Sequence, residues 1–246
     1  MFNVITVMGR PEYYEELFKI FKPKNVKWYI VTDPNSSLQV DPNENWIQHL
    51  VCDIVISEAG FQHNDYPDHD PRFQKRWIDF YRTLNWAFDQ LEIQDDEYYS
   101  IINDDDAVEP EFYEKIKNVL PIVKQEHSFT PDIILTSMQR GTGEFRWVGR
   151  HPTSQIVVTP ESVVPGGIGL EQMQIRGELL RDRTNRFPVL NERESVEKYS
   201  NLGIPIFGSD VSDGMFITYM ARKYKEKVIL LPEINVWFNY FEPGRW

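Results

Sequence analysis

The sequence is short of cysteine, of basic charge and of long apolar runs, and each shortage removes a class of protein. One cysteine, Cys52, stands among 246 residues, so no intrachain disulfide can form. It lies in the apolar run from Val51 to Ile56, which suits a buried thiol better than a nucleophile. Lys and Arg number 26 against 38 Asp and Glu, a formal net charge of −12. That balance disfavours a broad nucleic-acid or anionic-membrane footprint, although a local basic groove stays open. No segment approaches the ~18 apolar residues of a membrane span. The opening MFNVITVMGRPEYY has no basic flank and no long apolar core, so it does not read as a secretory signal. The expectation is a soluble, cytoplasmic protein. No internal repeat and no low-complexity segment breaks the chain.

What is present is a core and a pattern. Hydrophobic residues make up 41% and aromatic residues 14%, enough for a substantial core with stacking surfaces besides. The length suits one α/β or α+β domain, or at most two small ones. Apolar runs at Phe2–Gly9, Val26–Pro34, Val51–Ser57, Tyr98–Ile102 and Asp132–Met138 read as strands. Between them, Tyr14, Leu17, Phe18 and Phe21 recur at helical spacing, as do Trp77, Phe80, Tyr81, Leu84, Phe88 and Leu91. A third helix is expected after Pro110, with Phe112, Ile116, Val119, Leu120 and Val123 on one face. Strand alternating with helix implies a mainly parallel sheet covered on both faces, an α/β/α sandwich. The second half is more mixed. Strand and turn are expected around Gln155–Pro160, a helix near Leu170–Leu180, another from about Asp213, and a late strand over Lys227–Tyr240.

The strand YYSII runs straight into Asn103 and three consecutive carboxylates, Asp104, Asp105 and Asp106. In open α/β sheets ligands bind beyond the carboxyl ends of the strands. Adjacent carboxylates there make sense if a divalent cation neutralises them, and Mg²⁺ and Mn²⁺ are commonly shared between one or two carboxylates and a substrate's phosphates. The plainer reading is a solvated acidic turn ahead of the Pro110 helix.

The apolar strand, the triplet and the following AVEPEFYEKI resemble the Asp-x-Asp region of GT-A-fold glycosyltransferases, in a form similar to the inverting, family-2-like members. Other short motifs agree in order: MGR after the first strand, Asp33 after the second, an aromatic helix carrying Arg82 and Asn85, GGIGLEQ, and SDVSDGMFI. The resemblance implies a GT-A-like fold in a single domain, 1–246, with residues 1–138 holding a nucleotide-diphosphate sugar donor and 139–246 an acceptor. It implies Mn²⁺ or Mg²⁺ on Asp106 and Asp104, and a donor pocket of Met8, Gly9, Arg10, Asp33, Arg82, Asp104 and Asp105, with Asp104 facing the ribose. It implies acceptor contacts from Gly166, Gly167 and Trp237, and a catalytic base at Asp213, with Asp210 as second choice. A glycan or small glycoside acceptor fits the acidic charge, and a nucleic-acid acceptor is not favoured. The chain departs from the pattern in lacking any histidine after His151, where many such enzymes complete the metal site; Asn239 and Glu242 stand as substitutes.

Each of these residues has an ordinary reading as well. Asp33 before Pro34 is a turn starter, Arg10 a solvated arginine, the glycines a plain turn, Trp237 a core aromatic and Asp213 a helix cap. Arg76 and Arg82, six apart, do not share one helix face, so one of them at most faces the nucleotide. His63, Asp65, Asp68, His69 and Asp70 lie in a proline-broken stretch that reads as a loop closing over substrate better than as a metal centre. Two other functions stay open. A sugar-phosphate nucleotidyltransferase also uses carboxylates and metal, but its glycine-rich N-terminal loop is missing from VMGRPEYYEE. A carbohydrate- or nucleotide-binding module without turnover is the other.

Overall fold

The first strand, β1 (Phe2–Val7), is buried at all six positions, as a central strand between two helix layers must be. The structure is a computed structural model that describes residues 1–55, 71–140, 145–146, 163, 168–206, 212–238 and 241. Alternation along β1 sends Val4 to one core and Ile5 to the other. On one side lie α1 (Tyr14–Phe21) and α3 (Phe112–His127). Leu17 and Phe21 of α1, and Phe112, Ile116 and Val123 of α3, pack there against Val4, Trp28 and Ile30. On the other side lie α2 (Pro71–Gln90) and α6 (Ser212–Lys223). Tyr81, Leu84 and Phe88 of α2 meet Phe216 and Met220 of α6 over Ile5 and Val31. Polar side chains inside β1 find partners across the sheet: the Asn3 amide nitrogen donates to Glu97 at 2.9 Å, and Trp28 Nε1 donates to Thr6 at 3.0 Å, while Asn3 Oδ1 is buried without a partner.

The strands β2 (Lys27–Thr32), β3 (Ile47–Val51), β4 (Tyr98–Ile101), β5 (Ala107–Val108), β6 (Ile133–Arg140), β7 (Phe145–Arg146), β8 (Met173–Arg176) and β9 (Val228–Phe238) complete the sheet. Its order is β3-β2-β1-β4-β8-β6-β9-β5, with β7 paired to β6. The pairs β3–β2, β2–β1, β1–β4 and β6–β9 are parallel, and β8 runs antiparallel to both β4 and β6. This is an α/β/α sandwich around a mixed sheet: the run β3-β2-β1-β4 is parallel, but among the described residues four pairs in all are parallel and four antiparallel, so the sheet as a whole is less parallel than expected.

Three elements differ from the sequence-based expectation. The third strand is Ile47–Val51, earlier than Val51–Ser57. Its register with β2 ends at Thr32↔Val51, where the Cys52 amide closes on Thr32. The helix expected near Leu170–Leu180 is a 3-10 turn (Leu170–Gln172), then β8, then the short helix α4 (Gly177–Arg181). Leu170, Met173, Leu179 and Leu180 sit in the core at spacings that imitate a helix, but the chain between β4 and β6 must supply a strand. The helix α5 (Arg193–Asn201) was not expected, because Tyr199 is its one buried residue and it carries no apolar stripe. It stops at Gly203, φ 66°, a left-handed position that glycine tolerates. The expected strand at 155–160 lies outside the described residues.

The β8–α4 junction yields the first prediction. A Cβ on Gly177 would lie 2.0 Å from the Gln94 carbonyl oxygen, and backbone cannot yield as a flexible side chain would. Gly177→Ala should therefore lower stability by about 1–3 kcal/mol, the usual range for overpacking, read from the urea midpoint. An unchanged midpoint would show that the junction can open.

Candidate functional site

Because β1 and β4 are parallel neighbours, their carboxyl ends lie side by side. Past β1, the buried Met8 donates its amide to Val31 at 2.8 Å, and Gly9 and Arg10 follow. Past β4, Ile102 donates its amide to Ile5 at 3.0 Å, and Asn103 leads into the triplet. The Asp104 carboxylate crosses this gap. Its Oδ2 accepts the amides of Gly9 at 2.8 Å and Arg10 at 2.7 Å, and its Oδ1 accepts Arg10 Nε at 2.9 Å and Arg10 Nη2. Arg10 Nη2 also reaches Asp105 Oδ1 at 2.9 Å, and its guanidinium lies over the Tyr13 ring. One arginine thus clamps two of the three carboxylates. Burial pushes the Asp105 carboxyl above the usual range; the Arg10 charge opposes that and the Asp104 charge adds to it.

Asp106 is fully buried and turns the other way. Its Oδ2 accepts Asn103 Nδ2 at 3.0 Å. The same amide lies 3.4 Å from Oε1 of Glu171, a residue passed over in the sequence reading. Glu171 sits in the turn before β8, and the β4–β8 pairing carries that turn to the acidic edge. It is 2% exposed. Burial pushes its carboxyl up to about 7, a hydrogen bond shared with Asp106 holds it down, and the Asp105 charge raises it. The signal for it was the lone acid in GGIGLEQ.

The other expected residues divide. Trp237, half-buried on β9, is in register with Ala107, the residue after the triplet. It arrives there because β9 bulges: Thr136 faces Leu231 but Ser137 faces Asn235, and Ser137 Oγ donates to the Pro232 carbonyl at 2.7 Å. The Phe241 amide donates to the Asp105 carbonyl at 3.3 Å. Asp33 lies at the end of β2, on the same edge, with its carboxylate accepting the Asn35 amide at 2.8 Å. Asp213 is in the first turn of α6, where its Oδ1 accepts the Gly214 amide at 2.6 Å, and α6 packs on the turn that carries Glu171. Arg82 is directed elsewhere: it donates to Glu192 and Asn191, both at 3.1 Å. The buried stripe of α2 fixes that helix, and position 82 falls on its outer flank. Gly166, Gly167, Asp210, Asn239, Glu242 and the histidine–aspartate stretch 63–70 lie outside the described residues. Cys52 is buried, and burial pushes its thiol up, as expected of a structural thiol.

Among the described residues no three acidic, histidine or cysteine side chains converge as a ready cage for a metal. Asp104 is fully engaged by Arg10 and backbone amides, so as arranged it does not fit a direct ligand role. Asp106 and Glu171 do fit a hard cation: both are oxygen donors, buried and in mutual contact. Mg²⁺ and Mn²⁺ need only one or two carboxylates when phosphates and waters complete the shell. An open cavity of about 520 Å³ lies apart from all this, between α2 and α4. Its arginines are paired with acids, Arg186 with Asp89 and Arg181 with Asp95.

No family model and no curated protein matches the chain. Among solved structures it is similar to S. aureus TarS 1–349, with a TM-score of 0.55 and 16% identity over 96% of this chain and 59% of that one. It is similar to the same protein in complex with UDP, with a TM-score of 0.55 and 14% identity over 98% of this chain and 62% of that one. The fold of this chain is thus that of these structures, helices on both faces of a mixed sheet. At such identity the likeness carries the fold, and this chain spans about three-fifths of the chains it matches. Among the described residues, no helix is long and apolar enough to cross a membrane.

Proposed function

We propose that this protein transfers a sugar from a nucleoside-diphosphate sugar to a hydroxyl acceptor, with Mg²⁺ or Mn²⁺ and with inversion at the anomeric carbon. The observation that carries the reading is the Arg10–Asp104 clamp over the adjoining ends of β1 and β4, in a fold whose similar structures include one bound to UDP. Without ligand, Arg10 and Asp104 neutralise each other. A diphosphate offers Arg10 a stronger partner, since guanidinium pairs bidentately with phosphate oxygens. Once Arg10 swings to the phosphates, Asp104 is released to accept the ribose hydroxyls. Met8 and Gly9 floor the pocket and Asp33 bounds it on the β2 side. When bound at Asp106, with Asp104 assisting through water, a divalent ion supplies charge that offsets the leaving diphosphate. Trp237 gives an apolar face to the acceptor sugar, with Gly166 and Gly167 as further contacts, and Asp213 takes the acceptor proton. The acidic chain favours a glycan or small glycoside acceptor, and a cytoplasmic location goes with this reading.

The saturation of Asp104 supports a second reading, a nucleotide-binding module without turnover. Incubation with nucleotide sugars and Mn²⁺ separates the two. Transfer releases nucleoside diphosphate, a nucleotidyltransferase would exchange pyrophosphate, and a module binds without either. UDP at one hundred times its dissociation constant should stabilise the fold by about 2.7 kcal/mol. For a chain of this size that is a melting shift of roughly 5–10 °C, larger with Mn²⁺. No shift with any nucleoside diphosphate, with or without metal, would remove both readings.

A further inference from the structure

Glu171 has an oxygen with nothing to do. Its Oε2 is buried without a hydrogen-bond partner, and a buried acceptor left so carries its full desolvation cost. Gly169 gives it room: a Cβ there would lie 2.7 Å from that oxygen and 2.5 Å from Met138 Cε. The backbone at Gly169 has φ −86° and ψ 161°, a conformation open to any residue, so turn geometry does not call for glycine. Close approach of the carboxylate does. Glu171 also meets the fully buried Asp106, and the Asn103 amide spans both acids, at 3.0 and 3.4 Å. Arg10 is committed to Asp104 and Asp105.

The geometry points to Glu171 as a protein ligand of the divalent cation, paired with Asp106. The site takes a hard ion, Mn²⁺ or Mg²⁺, since its donors are all oxygen. Two carboxylates leave positions for water and for phosphate oxygens, so the site is half built by the protein and completed by the donor. Asn103 orients both acids as a positioning residue. This rests on the proposed reading only in taking a divalent ion to be part of the site. A purely structural pair, two carboxyls sharing a proton, would explain the contact but predicts no Mn²⁺ affinity that depends on Glu171.

The test uses the full chain and Mn²⁺ alone, followed by the loss of the free Mn²⁺ electron paramagnetic resonance signal. Wild type should bind about one ion per chain. Glu171→Gln, of the same size, should weaken binding tenfold or more, as loss of even an outer-sphere partner commonly does. Gly169→Ala keeps the carboxylate but displaces it, and should weaken binding in the same direction, which guards against a Gln variant that fails to fold. Cooperative thermal melts establish that each variant is folded. Wild-type affinity in folded Glu171→Gln overturns the assignment, as does a wild type that binds no Mn²⁺. Glu171-dependent Mn²⁺ binding in a protein that turns over no nucleotide sugar would remove the proposed function and leave this site standing. Turnover with Mn²⁺ affinity indifferent to Glu171 would do the reverse.

Discussion

Asp106→Asn should reduce sugar transfer by at least roughly 10²–10³-fold, the scale on which a single charge-stabilising group acts in a transition state. The substitution is chosen to spare the fold. Asp106 is fully buried and accepts Asn103 Nδ2 at 3.0 Å, and an amide oxygen at the same place accepts that bond. What it cannot do is carry negative charge. Departure of a nucleoside diphosphate builds charge on its phosphates, and the single guanidinium of Arg10, with the Asp105 carboxyl beside it, does not balance that charge. The loss should therefore appear in kcat. UDP-induced stabilisation without metal should persist, because Arg10 and Asp104 are intact. The checking measurement is release of nucleoside diphosphate from the nucleotide sugar in saturating Mn²⁺. Near-normal release from the variant, with chelator present, would show that neither Asp106 nor a metal carries the reaction.

The strands and helices of the first half were legible because each is decided locally. The run FNVITV is buried on both faces and reads so from composition. Leu17 and Phe21 repeat at the spacing of one helix face. Placement of the triplet at a strand end was legible for the same reason, as a short apolar run followed by charge. What was not legible depends on partners far away in sequence. Arg10 and Asp104 are 94 residues apart and meet only because β1 and β4 are neighbours in the sheet. Arg82 looked suitable on its own helix, but its partner Glu192 lies 110 residues further on, and no local argument could supply it. Glu171 was hidden by a false period: the stretch around it spaces its apolar residues like a helix, yet sheet pairing between β4 and β6 makes it turn and strand. Helix α5 was invisible because it rests on the core by Tyr199 alone.

Asp213→Asn should slow transfer by roughly 10²–10⁴-fold, the usual contribution of a positioned general base, with UDP binding unchanged. An acceptor hydroxyl is a weak nucleophile and must give up its proton as the sugar–phosphate bond breaks. Inversion needs a base on the acceptor side, and a half-buried carboxylate in the first turn of α6 can serve. That helix packs on the turn bearing Glu171, which ties its start to the acidic edge. The competing account is capping: Asp213 accepts the Gly214 amide at 2.6 Å, and carboxylates also favour helix starts through the dipole. The two accounts differ in what asparagine changes. As a helix-start acceptor, asparagine still takes the Gly214 amide and forfeits only the charge–dipole contribution, about 0.3–1 kcal/mol, so Asp213→Asn should lower the melting temperature by a few degrees at most. As a base it fails, since an amide takes no proton near neutral pH. Folded Asp213→Asn that transfers at the wild-type rate would leave Asp213 a cap and move the search for the base to Asp210. Product that keeps the donor's anomeric configuration would remove the need for a base in this role, and with it the inverting mechanism.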